Sequence, residues 1–149
     1  MPDSPDSVVK TLETILVVDD IGFVLKLVVA ILTAANFTVL QSKSGAAAIK
    51  LASEYTGKID LLLSDVRMPG MSGPELGLAL KQNRPDLHVM FMSGFPDGEL
   101  LVLNYGWAFI HKPFVAQRLA EMINVVLHTP NKSQGGSQYD TRSDLGKQE

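Results

Sequence analysis

The stretch "ILVVDDIGFVLKLVVAIL", Ile15 to Leu32, decides the fold. Its first four residues are β-branched or aliphatic and are followed by two adjacent aspartates, the pattern of a short strand buried on both faces. From Gly22 onward the apolar residues continue for the length of a helix. Taken instead as one unit, Ile21 to Leu40 carries only Lys26 as a charge and approaches the roughly 20 residues of a membrane span. A span would leave "ILVV" unexplained. It would also place Thr33, Asn36 and Thr38 in lipid without a basic cluster or aromatic pair at the interface. A strand, an acidic turn and a packed helix account for every residue.

Outward from this stretch, short apolar runs alternate with helix-like ones. Further strands are expected at Thr38 to Gln41, Ile59 to Ser64, His88 to Met92 and Trp107 to His111. Helices are expected from about Gly22 to Ala35, Ser44 to Tyr55, from "SGPE" at Ser72 to about Asn83, near Asp97 to Asn104, and from Val115 through Val126. Asn36 stands where a left-handed helix terminus accepts Asn or Gly. Ser72 and Glu75 have the spacing of a capping box. Five strands alternating with five helices imply an α/β fold, a parallel sheet with right-handed crossovers and both faces covered. In the first helix the expected buried stripe is Val24, Leu27, Val28, Ile31 and Leu32. Leu25, Val29 and Ala30 then fall outside it, as a partner surface or as a face covered by the N-terminal extension.

The 149 residues suit one domain, divided as an extension at 1–13, a folded unit at 14–129 and a polar, glycine-containing tail at 130–149. A net charge of -3 gives no electrostatic footprint for nucleic acid, so no direct binding of it is expected. The absence of cysteine excludes disulfides and thiolate metal sites and suits the cytoplasm. The first residues lack the basic and apolar regions of a secretory signal.

In a doubly wound sheet, ligands bind beyond the carboxyl ends of the strands. Asp19 and Asp20, Asp65, Ser93, and Lys112 with Pro113 fall at those ends of four different strands. Each has an ordinary explanation alone, as a turn, a cap or a solvated charge. Together they bring three carboxylates, a hydroxyl and an ammonium to one edge. Two like charges about 4 Å apart repel by about 4 kcal/mol at an effective dielectric near 20. Lys112 supplies one counter-charge. A hard divalent cation, Mg²⁺ or Mn²⁺ in its place, would supply two more and leave room for a phosphate. Such a site suits phosphoryl transfer, with Asp65 as the nucleophile that forms an acyl phosphate.

On these motifs the chain resembles the receiver domain of bacterial two-component response regulators. "ILVVDD" resembles the family's acidic-pair strand, "LLLSDVRMPGMSGPEL" its phosphoacceptor strand and loop, "VMFMSG" its switch strand, and "FIHKPF" its lysine-proline turn. The match covers Thr14 to Leu127. The resemblance implies a flavodoxin-like (βα)5 sheet of order 2-1-3-4-5, and a signalling role rather than that of a free-standing enzyme. It implies that Asp65 accepts phosphate from a phosphohistidine on a sensor histidine kinase or histidine phosphotransfer protein. Asp20, Asp65 and the backbone carbonyl of Arg67 would hold Mg²⁺, with Asp19 acting mainly through water. Lys112 would pair with the carboxylate and then with a phosphoryl oxygen. Ser93 and Phe109 would form the switch, and Pro113 would follow a cis peptide. Arg67 and Phe95 stand where the family tunes dephosphorylation, and their bulk points to a long-lived phosphoryl group.

Two features depart from the family pattern. Ile21 stands where a third acid often follows the pair, and the segment from Ser93 to Lys112 is short. The compact region from "MSGFPDGELL" to "HKPF" most resembles receivers attached to hybrid sensor histidine kinases. The polar residues after Thr129 are not expected to form an effector domain, so output is expected through a partner protein, whether the chain is a single-domain regulator, a phosphorelay intermediate or a receiver excised from a larger protein. A weak homodimer is expected as a further association, with no direct membrane contact. The alternative function is a degenerate receiver that signals by contact without phosphorylation. An aspartate-nucleophile phosphatase is disfavoured, because Arg67 stands where such enzymes place a second aspartate.

Overall fold

The computed structural model describes residues 12–94 and 106–129. Its strands are β1 (Thr14–Val18), β2 (Thr38–Ser42), β3 (Leu61–Asp65), β4 (His88–Ser93) and β5 (Ala108–His111). Four helices lie among the described residues: α1 (Gly22–Ala34), α2 (Gly45–Glu54), α3 (Gly73–Asn83) and α4 (Ala116–Leu127). The strands form one sheet in the order β2-β1-β3-β4-β5, with every neighbouring pair parallel. The order reverses between β1 and β3, which makes their carboxyl ends the switch point.

Strand alternation divides the core. Ile15, Val17, Leu61 and Leu63 face α1 and α4, whereas Leu16, Val18 and Leu62 face α2 and α3. Every residue of β1 and β3 is buried, which explains why these strands read as unbroken apolar runs. The stretch that could be mistaken for a span, Ile21 to Leu40, is thus a 13-residue helix, a turn and the first residues of β2. Among the described residues no helix is long and apolar enough to cross a membrane.

Local chemistry explains the boundaries. At the end of α1, Asn36 takes a positive φ of 73° and Phe37 N–H returns to the Leu32 carbonyl, so the apolar run stops and turns into β2. Helix α3 opens on a complete capping box. Glu75 N–H donates to Ser72 Oγ at 3.2 Å, and Ser72 N–H donates to Glu75 Oε1 at 2.9 Å. Arg84, just past α3, donates to the carbonyls of Ala52, Tyr55 and Gly57 and thereby ties down the end of α2.

Two expectations change. β3 begins at Leu61 rather than Ile59 and includes Asp65, because Asp60 spends its carboxylate on Thr14 N–H at 2.8 Å while Ile59 is buried ahead of the strand. In α1 the buried stripe is Leu25, Val28 and Leu32, with Val29 packed at its margin. Leu27 is exposed instead, as are Phe23 and Ala30, since the helix is rotated to seat Leu25 against the sheet. The expected fourth helix near 97–104, Phe95, the extension up to residue 11 and the tail from 130 lie outside the described residues.

Candidate functional site

Asp19 directly follows β1, Asp65 ends β3, Ser93 ends β4 and Lys112 directly follows β5. All four therefore lie at the carboxyl edge of adjacent or near-adjacent strands. Asp19, Asp20 and Asp65 each offer a carboxylate oxygen, and the three oxygens lie within 4.8 Å of one another. Asp19 and Asp65 are buried and Asp20 is exposed, so the cluster opens to solvent on the Asp20 side.

Asp19 is the most constrained member. It has no exposed surface, its Oδ1 accepts Ile21 N–H at 2.9 Å, and its Oδ2 lies 3.0 Å from Lys112 Nζ. Lys112 reaches Asp65 Oδ2 at the longer distance of 3.5 Å. The ammonium therefore bridges two carboxylates, with Asp19 as its nearer partner. Its own position is set by the strand ladder, because Lys112 N–H donates to the Ser93 carbonyl at 2.9 Å, and the following Lys112–Pro113 peptide is cis.

Burial raises the Asp65 carboxyl above the usual carboxylate range, and the nearby Asp19 charge adds to this; Lys112 and the Val66 N–H act in the opposite direction. A carboxylate raised by folding favours the native state only while protonated. That contribution is present below the ordinary carboxylate pKa and is lost as pH rises through the folded value. Asp65→Asn is therefore expected to raise the melting temperature at neutral pH without divalent ions, by about 2–4 °C. The gain should shrink on acidification, as measured by thermal melts in chelator across pH.

Three carboxylates and one ammonium leave negative charge unbalanced. Adjacent oxygens around Mg²⁺ lie about 3 Å apart and opposite ones about 4 Å apart, from metal–oxygen distances of about 2.1 Å. The acidic oxygens all lie within 4.8 Å of one another, a limit slightly wider than that spacing, and all are hard donors. The residues present fit a small divalent cation.

Of the other expected site residues, Ser93 is fully buried at the end of β4. Phe109 is half-buried on β5, with its ring edge-on to His111 at a centroid separation of 4.9 Å. Arg67 is exposed in the loop after β3. Ile21, at the start of α1, is 51% exposed and places an apolar surface beside the acidic pair. Ser64 and Gly73 were not expected at the site. Both touch the Asp65 main chain; the only sequence signal was a serine inside the leucine run of β3.

With this geometry in place, the comparisons with known proteins agree. A model of the response regulator receiver domain matches residues 15–124. The chain belongs to the response regulator receiver domain family. As a receiver it is similar to the sensor kinase CckA of Brucella abortus, at 32% identity over 117 residues, covering 76% of this chain and 12% of that protein. It is similar in structure to a receiver domain protein of Clostridium thermocellum, with a TM-score of 0.71, 28% identity and coverage of 78% and 94% of the two chains. The receiver domain of the hybrid histidine kinase CckA matches with a TM-score of 0.66 and 35% identity, covering 77% of this chain and 99% of that one. The chain thus spans a small part of its curated relative but nearly all of each solved receiver. It is a receiver domain of the two-component class, a signalling domain with an acidic pocket at the sheet's carboxyl edge.

Proposed function

We propose that this receiver is a phosphoacceptor in a two-component or phosphorelay system, with Asp65 taking the phosphoryl group from a partner's phosphohistidine. The observation that carries this reading is the convergence of Asp19, Asp20 and Asp65 with Lys112 at the switch point of the sheet. An Asp65 carboxylate oxygen attacks phosphorus, the P–N bond breaks, and the imidazole nitrogen keeps the electron pair. The product on the receiver is an acyl phosphate. Asp20 and Asp65, with the Arg67 carbonyl and Asp19 through water, would hold Mg²⁺ or Mn²⁺. Bound there, the cation supplies the positive charge that offsets the carboxylates and the transferring phosphoryl oxygens. Lys112 stands close enough to Asp65 to pair next with a phosphoryl oxygen, while Ser93 and Phe109 form the switch that answers the new charge.

The donor is a sensor histidine kinase or a histidine phosphotransfer protein, and the signal passes to a downstream protein in the cytoplasm. Exposed Phe23 and Leu27, one helical turn apart on α1, support an apolar docking face near the site. The test is incubation of the full chain with acetyl phosphate and Mg²⁺, followed by intact-mass measurement. Wild type should gain the mass of one phosphoryl group and Asp65→Asn none. An unmodified wild type with no response to Mg²⁺ would favour an interaction module that signals by contact alone.

A further inference from the structure

Ser64 is a polar residue in a position built for an apolar one. It lies between Val18 of β1 and Phe91 of β4 in the ladder, its strand neighbours Leu62 and Leu63 are fully buried, and it has no exposed surface itself. A hydroxyl placed there costs free energy unless it is hydrogen-bonded. Its bond is local: Ser64 Oγ donates to the backbone carbonyl of Asp65 at 2.8 Å.

That carbonyl belongs to the peptide unit joining Asp65 to Val66. The unit is planar, so holding its oxygen also fixes the direction of its N–H. The Val66 N–H donates to the Met92 carbonyl of β4 at 3.3 Å. Gly73 closes the other side. Its N–H donates to the Val66 carbonyl at 2.8 Å, and a Cβ on Gly73 would lie 2.2 Å from the Asp65 carbonyl oxygen. The peptide plane that starts at the Asp65 Cα is thus held at its carbonyl by Ser64 and at its N–H by the Met92 carbonyl.

We infer that Ser64 is a positioning residue for Asp65, its hydroxyl fixing the rotation of the Asp65–Val66 peptide and through it the aim of the carboxylate into the acidic site. This rests on Asp65 being the phosphoacceptor. A serine that merely satisfied its own hydroxyl would affect stability alone. A positioning serine must also affect metal binding and the rate of acyl phosphate formation in the folded protein.

The experiment compares the whole 149-residue chain as wild type, Ser64→Ala, Ser64→Cys and Arg84→Met. The last removes the bonds to the end of α2 and serves as a destabilised control outside the site. Calorimetric titration with Mg²⁺ alone and the maximal rate with acetyl phosphate at saturating Mg²⁺ are read well below each melting temperature. Ser64→Ala should bind Mg²⁺ about 5-fold more weakly, the equivalent of one hydrogen bond. Its maximal rate should fall about tenfold, with the half-saturating donor concentration unchanged. Ser64→Cys, similar in shape but a weak donor, should fall between it and wild type. Arg84→Met should match wild type in both readouts. Wild-type behaviour of Ser64→Ala, or an equal loss in Arg84→Met, would overturn the positioning role. A wild type that neither binds Mg²⁺ nor is modified would overturn the phosphoacceptor reading itself, and the positioning role with it.

Discussion

Lys112→Ala is expected to lower stability by about 2–3 kcal/mol at neutral pH without divalent ions, which corresponds to a fall of about 10 °C in melting temperature. The variant leaves Asp19, which has no exposed surface, without the ammonium 3.0 Å away, and leaves Asp65 without its nearest cation. Removing one partner of a buried pair costs about 3–5 kcal/mol, reduced here because the Lys112 side chain keeps 19% of its surface in water. Two conditions should narrow the deficit. Mg²⁺ restores positive charge beside the same oxygens, and acidification protonates Asp65, whose carboxyl already lies above the usual range. Chemical denaturation with and without Mg²⁺, at neutral and mildly acidic pH, checks all three effects. A deficit that is the same in every condition would show that the lysine acts through packing rather than charge. Acetyl phosphate labelling of the same variant should slow by about 100-fold, the usual cost of removing a preorganised charge.

Gly73→Ala should be about as destabilising, for a steric reason. The added Cβ would lie 2.2 Å from the Asp65 carbonyl oxygen and 2.8 Å from the Phe91 ring. The first of these is main chain, so no side-chain rotation relieves it. Either the start of α3 moves away from the sheet or the end of β3 twists, and both carry the Asp65 carboxylate with them. A loss of about 3 kcal/mol is expected, at the upper end of ordinary overpacking. It should appear as a lower denaturant midpoint together with weakened Mg²⁺ binding. An unchanged midpoint would mean that the helix start accommodates the methyl without strain. Gly70 has a different requirement: its φ of 83° needs a glycine for conformation, whereas Gly73 needs one for room.

The central strands β1, β3 and β4 were legible because burial on both faces writes an unbroken apolar run into a parallel strand, as in "ILVV" and "LLLS". The acidic and basic site residues were legible because each sits at a strand end, and the parallel order brings those ends to one edge. Helix α1 shows the limit of such patterning. With apolar residues at nearly every position, its sequence did not determine its rotation, and Leu25 and Leu27 exchanged their expected places. Only packing against β1 and α4 resolves that choice.

The sequence by itself determined the fold class, the strand order implied by its family resemblance, and the residues that meet at the carboxyl edge. Tertiary structure decided how they meet: Lys112 lies nearer to Asp19 than to Asp65, and Gly73 seals the Asp65 carbonyl that Ser64 holds. Periodicity and spacing report which face or end a residue occupies, because those depend on local geometry. Which of two carboxylates an ammonium approaches, and which main-chain oxygen a glycine must clear, depend on ångström-scale distances between segments far apart in the chain.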